Sequence, residues 1–215
     1  LYSDTVDQIR RNIPMAKNKK VRPALKQTIL LFNKPFQVLS QFTDEKGRAT
    51  LSDFITDSQV YPAGRLDYES EGLLVLTSDN ILKQKITQPN LGFSKTYFVQ
   101  VEGSPKEEQL EPLKEGILLK DGMTLPAKYR LNQNGWSPPN LWERNPPIRF
   151  RKTIPTTWLE ITISEGRNRQ VRRMMAEVGF PVLRLIRFRV GSWTLDGIDP
   201  GKSLAVQPQP KLHFF

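Results

Sequence analysis

The chain of 215 residues has no cysteine, and that absence removes disulfides, thiolate zinc sites and cysteine nucleophiles together. Its one histidine, His213, stands in the C-terminal tail. A histidine metal site or a serine–histidine triad would need that tail to fold back into a site. There is no Walker-type phosphate loop and no dinucleotide-binding glycine fingerprint. No apolar run approaches the roughly 18 residues of a membrane span and no signal peptide opens the chain, so a cytoplasmic protein is expected. Chemistry in such a chain has to run on carboxylates, arginine, lysine, tyrosine, serine or backbone groups.

Acidic residues are in deficit. Asp and Glu total 22 against 32 Lys and Arg, a net charge of +10 and a pI near 9.9, which points to a polyanionic partner, nucleic acid first. A merely soluble basic surface is the plainer alternative. Hydrophobic content of 38% and charged content of 25% are those of a globular protein. Residues 1–27 hold seven basic side chains, from Arg10 to Lys26, against Asp4 and Asp7. Few apolar residues and no period mark them as a flexible basic arm that orders on RNA, or as a solubilising tail. The folded domain is expected over 28–207, with a tail over 208–215.

Within it, 29–32 is a short apolar run closed by Asn33-Lys34-Pro35. Extended structure is expected over 38–42, a short helix over 50–55, a buried strand over 73–77 and a helix over 81–87. The segment 95–101 alternates as a half-buried strand. A helix is expected over 104–115, with Ser104 as N-cap, Pro105 at the first position and Gly116 as stop. Strands follow at 125–131 and 157–164, then a helix over 169–178 capped by Gly179, and strands at 182–190 and 192–195. The intervening 132–156 carries five prolines, Trp136 and Trp142, and basic residues Arg144, Arg149, Arg151 and Lys152. Its tryptophans could stack on RNA bases or pack on the core. Short strands with few helices predict an α+β domain with a largely antiparallel sheet.

Two stretches carry chemistry. In Gly64-Arg65-Leu66-Asp67 and on to Gly72, an acidic residue sits in a glycine-bracketed polar turn ahead of an apolar run. That order presents a side chain at a cleft mouth while anchoring it on a buried strand. Residues 165–189 then contain seven arginines and no lysine: Arg167, Arg169, Arg172, Arg173, Arg184, Arg187 and Arg189. Arg169, Arg172 and Arg173 fall on one helix face. Exclusive use of arginine points to planar, bidentate contacts with phosphate or carboxylate; a solvated basic face is the alternative.

The stretch 64–79 resembles the active-site motif of RsuA-type RNA pseudouridine synthases. So do Asn33-Lys34-Pro35, Lys95-Thr96-Tyr97 and Glu165-Gly166-Arg167-Asn168-Arg169-Gln170-Val171-Arg172-Arg173-Met174, and the similarity covers about 28–195 in family order. It is nearest to the RluE-type enzymes that act on 23S ribosomal RNA. Many relatives carry a small RNA-binding domain ahead of the catalytic one, for which 27 residues are too few.

The resemblance implies a catalytic domain of two subdomains sharing an extended mixed sheet, with RNA in the central cleft. It implies Asp67 as the catalytic carboxylate, as nucleophile or as base by a glycal route. Arg172 is implied as the cation that keeps Asp67 ionised, and Tyr97 as the ring that stacks on uracil. Leu185 would form the apolar wall, and Arg65 would fill the gap left by a flipped nucleotide. Each has a plainer role: Tyr97 and Leu185 as core packing, Arg65 as a surface ion pair with Glu69 or Glu71. Arg167, Arg169, Arg173 and Arg187 would contact RNA phosphates. The isomerisation involves no redox change or net hydrolysis, so no cofactor and no metal are expected, and a monomer is. The rival readings are a non-catalytic RNA-binding or ribosome-assembly module on the same fold, and a synthase with another RNA target.

Overall fold

Every residue of Glu71–Thr77 (β3) is buried, because the run Leu73 to Leu76 puts an apolar side chain on both faces of the strand. Leu74 and Leu76 join Phe32, Tyr97, Val99, Leu159, Ile161 and Leu185 in one core. Leu73 and Val75 join Ile29, Leu31, Phe98 and Ile186 in another. The sheet is therefore the middle of three layers. The computed structural model describes residues 28–88, 93–131, 137–139, 141–148, 151 and 153–207. The basic arm, the tail with His213, Trp136, Arg149 and Lys152 lie outside the described residues.

Around β3 the sheet runs β11-β1-β3-β9-β4-β8-β7. The strands are Ile29–Lys34 (β1), Tyr61–Pro62 (β2), Lys95–Glu102 (β4), Lys128–Leu131 (β7), Thr156–Ile163 (β8), Val182–Val190 (β9), Trp193–Thr194 (β10) and Ser203–Val206 (β11). Leu118–Leu119 (β5) and Gly122–Met123 (β6) form a separate hairpin. Among the described residues every pairing is antiparallel except β3 with β9, which is parallel with Glu71 opposite Ile186 and Gly72 opposite Arg187. That seam joins a half built on β1, β3 and β11 to a half built on β4, β7, β8 and β9. The α+β class and the extended, largely antiparallel sheet are as the sequence predicts.

One face carries Asn80–Thr87 (α1), whose Leu82 and Ile86 pack with Trp193 and Ile198. Asp79 caps α1 by accepting from the Ile81 and Leu82 N–H groups. The other face carries Glu107–Leu110 (α2), Pro112–Glu115 (α3) and Gln170–Glu177 (α4), through Leu110, Leu113, Val171, Met174 and Met175.

Several expectations need correcting. The single helix over 104–115 is two short ones, because Pro112 has no N–H to donate into the preceding turn. It begins after Lys106 rather than Ser104, with the Gln109 side chain accepting from the Lys106 N–H at 3.0 Å. The strand over 125–131 starts only at Lys128; the Leu125 N–H goes to Glu165 instead, at 2.8 Å, and Pro126 has none to offer. Residues 38–42 form no strand: Gln37 has φ +58° and turns the chain out of the sheet. The helix expected over 50–55 is one 3-10 turn, Leu51–Asp53, with a Thr50–Asp53 capping box. Strand β11 was not legible, because three of its four residues are exposed and carry no alternation.

Candidate active site

The loop between β2 and β3 is held by its backbone. The Ser40 hydroxyl donates to the Leu66 carbonyl at 2.8 Å and accepts the Leu66 N–H at 3.0 Å. The Gln37 N–H donates to the Tyr68 carbonyl at 2.8 Å, and the Ser70 N–H to the Asp67 carbonyl at 3.0 Å. Asp67 is thus fixed from both sides, and its side chain, 30% exposed, faces a cleft of about 570 Å³. The polar turn followed by an anchoring strand is as expected; the water-shielding is partial.

Tyr97 on β4 and Leu185 on β9 both line this cleft and are both buried. They come from neighbouring antiparallel strands, with a bulge between Thr96 and Tyr97. Arg65 is exposed, lines the same cleft and forms no ion pair among the described residues. The carboxylates it could have met are taken: Glu69 faces Arg169 at 3.3 Å, and Glu71 is held at 2.8 Å by Arg184.

Arg172 does not pair with Asp67. Its Nη2 donates to the Glu69 carbonyl at 2.7 Å and its Nη1 to the Val182 carbonyl at 3.2 Å, so it ties the Asp67 loop to β9. Burial lowers its pKa, with Arg169 adding to the effect and the charges of Glu69 and Asp67 opposing it. The guanidinium nearest Asp67 is Arg169, whose Nη1 stands 3.9 Å from Oδ2. Arg169 precedes α4 with φ +49°, a left-handed turn that takes it off the helix face shared by its neighbours.

The other arginines are engaged within the protein. Arg173 meets Asp121 bidentately at 2.7 and 3.1 Å, which holds that carboxyl below its usual range. Arg167 donates to the Gly122 and Met123 carbonyls and to Glu165, fastening the β5–β6 hairpin. Arg187 is buried on β9, its Nε donating to the Leu73 carbonyl at 2.7 Å. Arg173 on Asp121 and Arg184 on Glu71 make the planar, bidentate carboxylate contacts expected of arginine, whereas Arg167, Arg172 and Arg187 spend donors on backbone carbonyls.

Three buried features escaped sequence reading. Arg184 grips Glu71 through Nε and Nη2, each at 2.8 Å, while the Trp142 indole N–H donates to the same carboxylate. Trp142, half-buried, packs against the core with its indole N–H turned to Glu71. Lys34 is fully buried, donates to the Pro35 and Val38 carbonyls at 2.8 Å, and has its pKa lowered by desolvation to about 7. Lys95 is buried in the cleft wall with a pKa lowered by desolvation to about 8. The available signal was a lysine inside each of two motifs, at positions where strand alternation points inward.

The chain has known counterparts. A family model described as RNA pseudouridylate synthase matches residues 28–177. The ribosomal large subunit pseudouridine synthase E of Vibrio vulnificus is 59% identical over 185 residues, spanning 86% of this chain and 77% of that protein. The protein of the same name from Xanthomonas axonopodis pv. citri is 52% identical over 174 residues, spanning 80% of this chain and 90% of that one. Among solved structures, a pseudouridylate synthase crystal structure aligns with TM-score 0.69 at 28% identity, covering 84% of this chain and 70% of that one. With the family match spanning β1 through α4 and holding the Asp67 loop and Tyr97 within it, the chain belongs to the RNA pseudouridylate synthase family.

Proposed function

We propose that this protein converts a uridine of 23S ribosomal RNA to pseudouridine, with Asp67 as the catalytic carboxylate. The observation that carries the reading is one cleft holding a backbone-fixed aspartate, a buried tyrosine, an apolar wall and an excess of cations. The substrate class follows the relatives, named as ribosomal large subunit synthases.

The reaction breaks the N1–C1′ bond, turns the base and rejoins it through C5. A carboxylate serves either as nucleophile or as base at C2′. The Tyr97 ring supports a uracil base and Leu185 closes the apolar side. A stacked or paired uridine must first be flipped out, at a cost of a few kcal/mol. Arg65, exposed at the cleft rim and without an ion pair among the described residues, is the side chain placed to fill the vacated stack. Arg169 serves RNA phosphate and screens Asp67.

The test is Asp67→Asn, which keeps shape and removes charge and nucleophile. Conversion of a large-subunit RNA fragment should fall to background while RNA affinity holds or rises, because a negative charge facing phosphates is gone. Turnover within about tenfold of wild type would remove Asp67 from the mechanism. A non-catalytic RNA-binding module would show no conversion in wild type either.

A further inference from the structure

Lys95 on β4 is 6% exposed and Arg187 on β9 is 5% exposed. Both line the Asp67 cleft, and they come from adjacent strands, with Thr96 opposite Arg189 and Tyr97 opposite Arg187. The Lys95 side chain makes no hydrogen bond or ion pair among the described residues. Arg187 spends only its Nε, on the Leu73 carbonyl. Burial first, and the charge of Arg187 second, act against the Lys95 ammonium. Arg187 also acts against the buried Lys34.

Among the described residues no carboxylate pairs with Lys95 or Arg187, although the charges of Glu71 and Asp67 favour the Lys34 ammonium. Glu71 has its oxygens on Arg184 and Trp142. Glu165, at the neighbouring turn, is held by Leu125, Gln170 and Arg167. Asp67 has Arg169 as its nearest partner. Like charges kept together out of water without a counter-ion are costly to a fold. An anion brought into the cleft offsets that cost, as release of the lysine proton also does.

We infer that Lys95, with Arg187 beside it, is the electrostatic seat for the negative charge that develops on uracil as its glycosidic bond breaks. This rests on the reading of the cleft as a pseudouridine-forming site. When N1–C1′ cleaves, the bonding electron pair leaves with the base and spreads over N1 and the ring carbonyl oxygens. C1′ is meanwhile satisfied by the Asp67 carboxylate, or by loss of a C2′ proton to it. C5 then bonds to C1′ as the Asp67–C1′ bond breaks, or, by the other route, as Asp67 returns its proton to C2′; the C5 proton departs and N1 gains one, so the base returns to neutrality with no net change in atoms or charge. Uracil is neutral before and after, so a buried cation contacting it favours the transition state over the ground state. A backbone phosphate is the poorer occupant of this floor. It would have to be stripped of water among Tyr97, Ile163, Leu185 and Val190, whereas exposed Arg65 and Arg169 meet it at the rim.

The test uses the full chain, a transcript of large-subunit ribosomal RNA, and the variants Lys95→Met, Lys95→Gln and Lys95→Arg. Single-turnover conversion at saturating RNA should fall about 10²–10³-fold in the Met and Gln variants, with RNA affinity within about threefold of wild type. Lys95→Arg, which keeps the charge, should recover to within about tenfold. Because the charge destabilises the fold, Lys95→Met should melt at or above the wild-type temperature. Lower affinity and a salt slope reduced by about one unit at unchanged single-turnover rate would make Lys95 a phosphate anchor and overturn the inference. So would a lower melting temperature and lost turnover that arginine does not rescue, the mark of a structural brace. A wild type that converts while Lys95→Met converts equally well overturns this inference alone. A wild type that converts no uridine, like Asp67→Asn, overturns the parent reading and this one with it.

Discussion

Burial holds Lys34 at about 7 and Lys95 at about 8, against an ordinary lysine value of 10.5, and desolvation is the main cause in both. The sign of the consequence follows from linkage. Below the folded-state value the ammonium is charged in both states and its penalty on the fold is constant. Above it the folded protein has released the proton while the unfolded chain still holds it, so stability rises with pH until about 10.5, the unfolded value. For Lys95 the window opens near pH 8. The melting-temperature advantage of Lys95→Met over wild type should therefore be largest at pH 7 and shrink by pH 10, read from thermal unfolding at a series of pH values. A gap that stays constant across that range would show that no depressed ammonium sits at position 95. The arginines differ in kind, since they remain charged throughout and their partners, not their titration, set their roles.

At the level of elements, the parallel seam between β3 and β9 positions the site. Gly72 has φ +103° and faces Arg187 of β9 so closely that a Cβ would lie 2.4 Å from its carbonyl oxygen and 2.8 Å from its nitrogen. A methyl group there would separate the strands that carry the Asp67 loop and Arg187. Gly72→Ala should cost about 3 kcal/mol or more, combining backbone strain with the clash, and should lower single-turnover conversion. Gly179, at φ +90° with nothing within 4 Å of an added Cβ, supplies the comparison. Gly179→Ala meets strain alone and should cost about 1 kcal/mol. Equal losses in urea unfolding of the two variants would deny the close approach at the seam. Beside it, the buried Arg184–Glu71 pair locks the same strands through side chains 113 residues apart.

For the whole molecule, the charge of +10 is unevenly placed, and residues 1–27 hold a net +5 of it. Phosphate contacts set affinity and orientation rather than chemistry. Deleting 1–27 should weaken RNA binding and flatten its dependence on salt by roughly one unit of log–log slope per lost contact. Single-turnover conversion at saturating RNA should hardly change, since Asp67, Tyr97 and Lys95 all belong to the folded part. Titrations of truncated and full chains at several salt concentrations check this. Unchanged affinity and slope would make the arm a plain tail; normal binding with lost conversion would draw it into the active site.

Asp67 was legible as a carboxylate in a polar turn ahead of a buried strand, while for Tyr97 and Leu185 the local pattern specified only strand positions and their place in a site rested on the family resemblance. Strands β3, β4, β8, β9 and β10 and helices α1 and α4 were legible from the same kind of local pattern, and the α2–α3 break was available in Pro112. Which charged group meets which was decided only by the tertiary structure. Arg173 finds Asp121 from 52 positions away, and Arg172 finds the Glu69 carbonyl from 103. The left-handed turn at Arg169 sends it, rather than Arg172, toward Asp67. Local periodicity fixes the face a side chain takes, but a partner across the sheet depends on register. Register is set by packing along the whole β3–β9 seam, and no segment carries it alone.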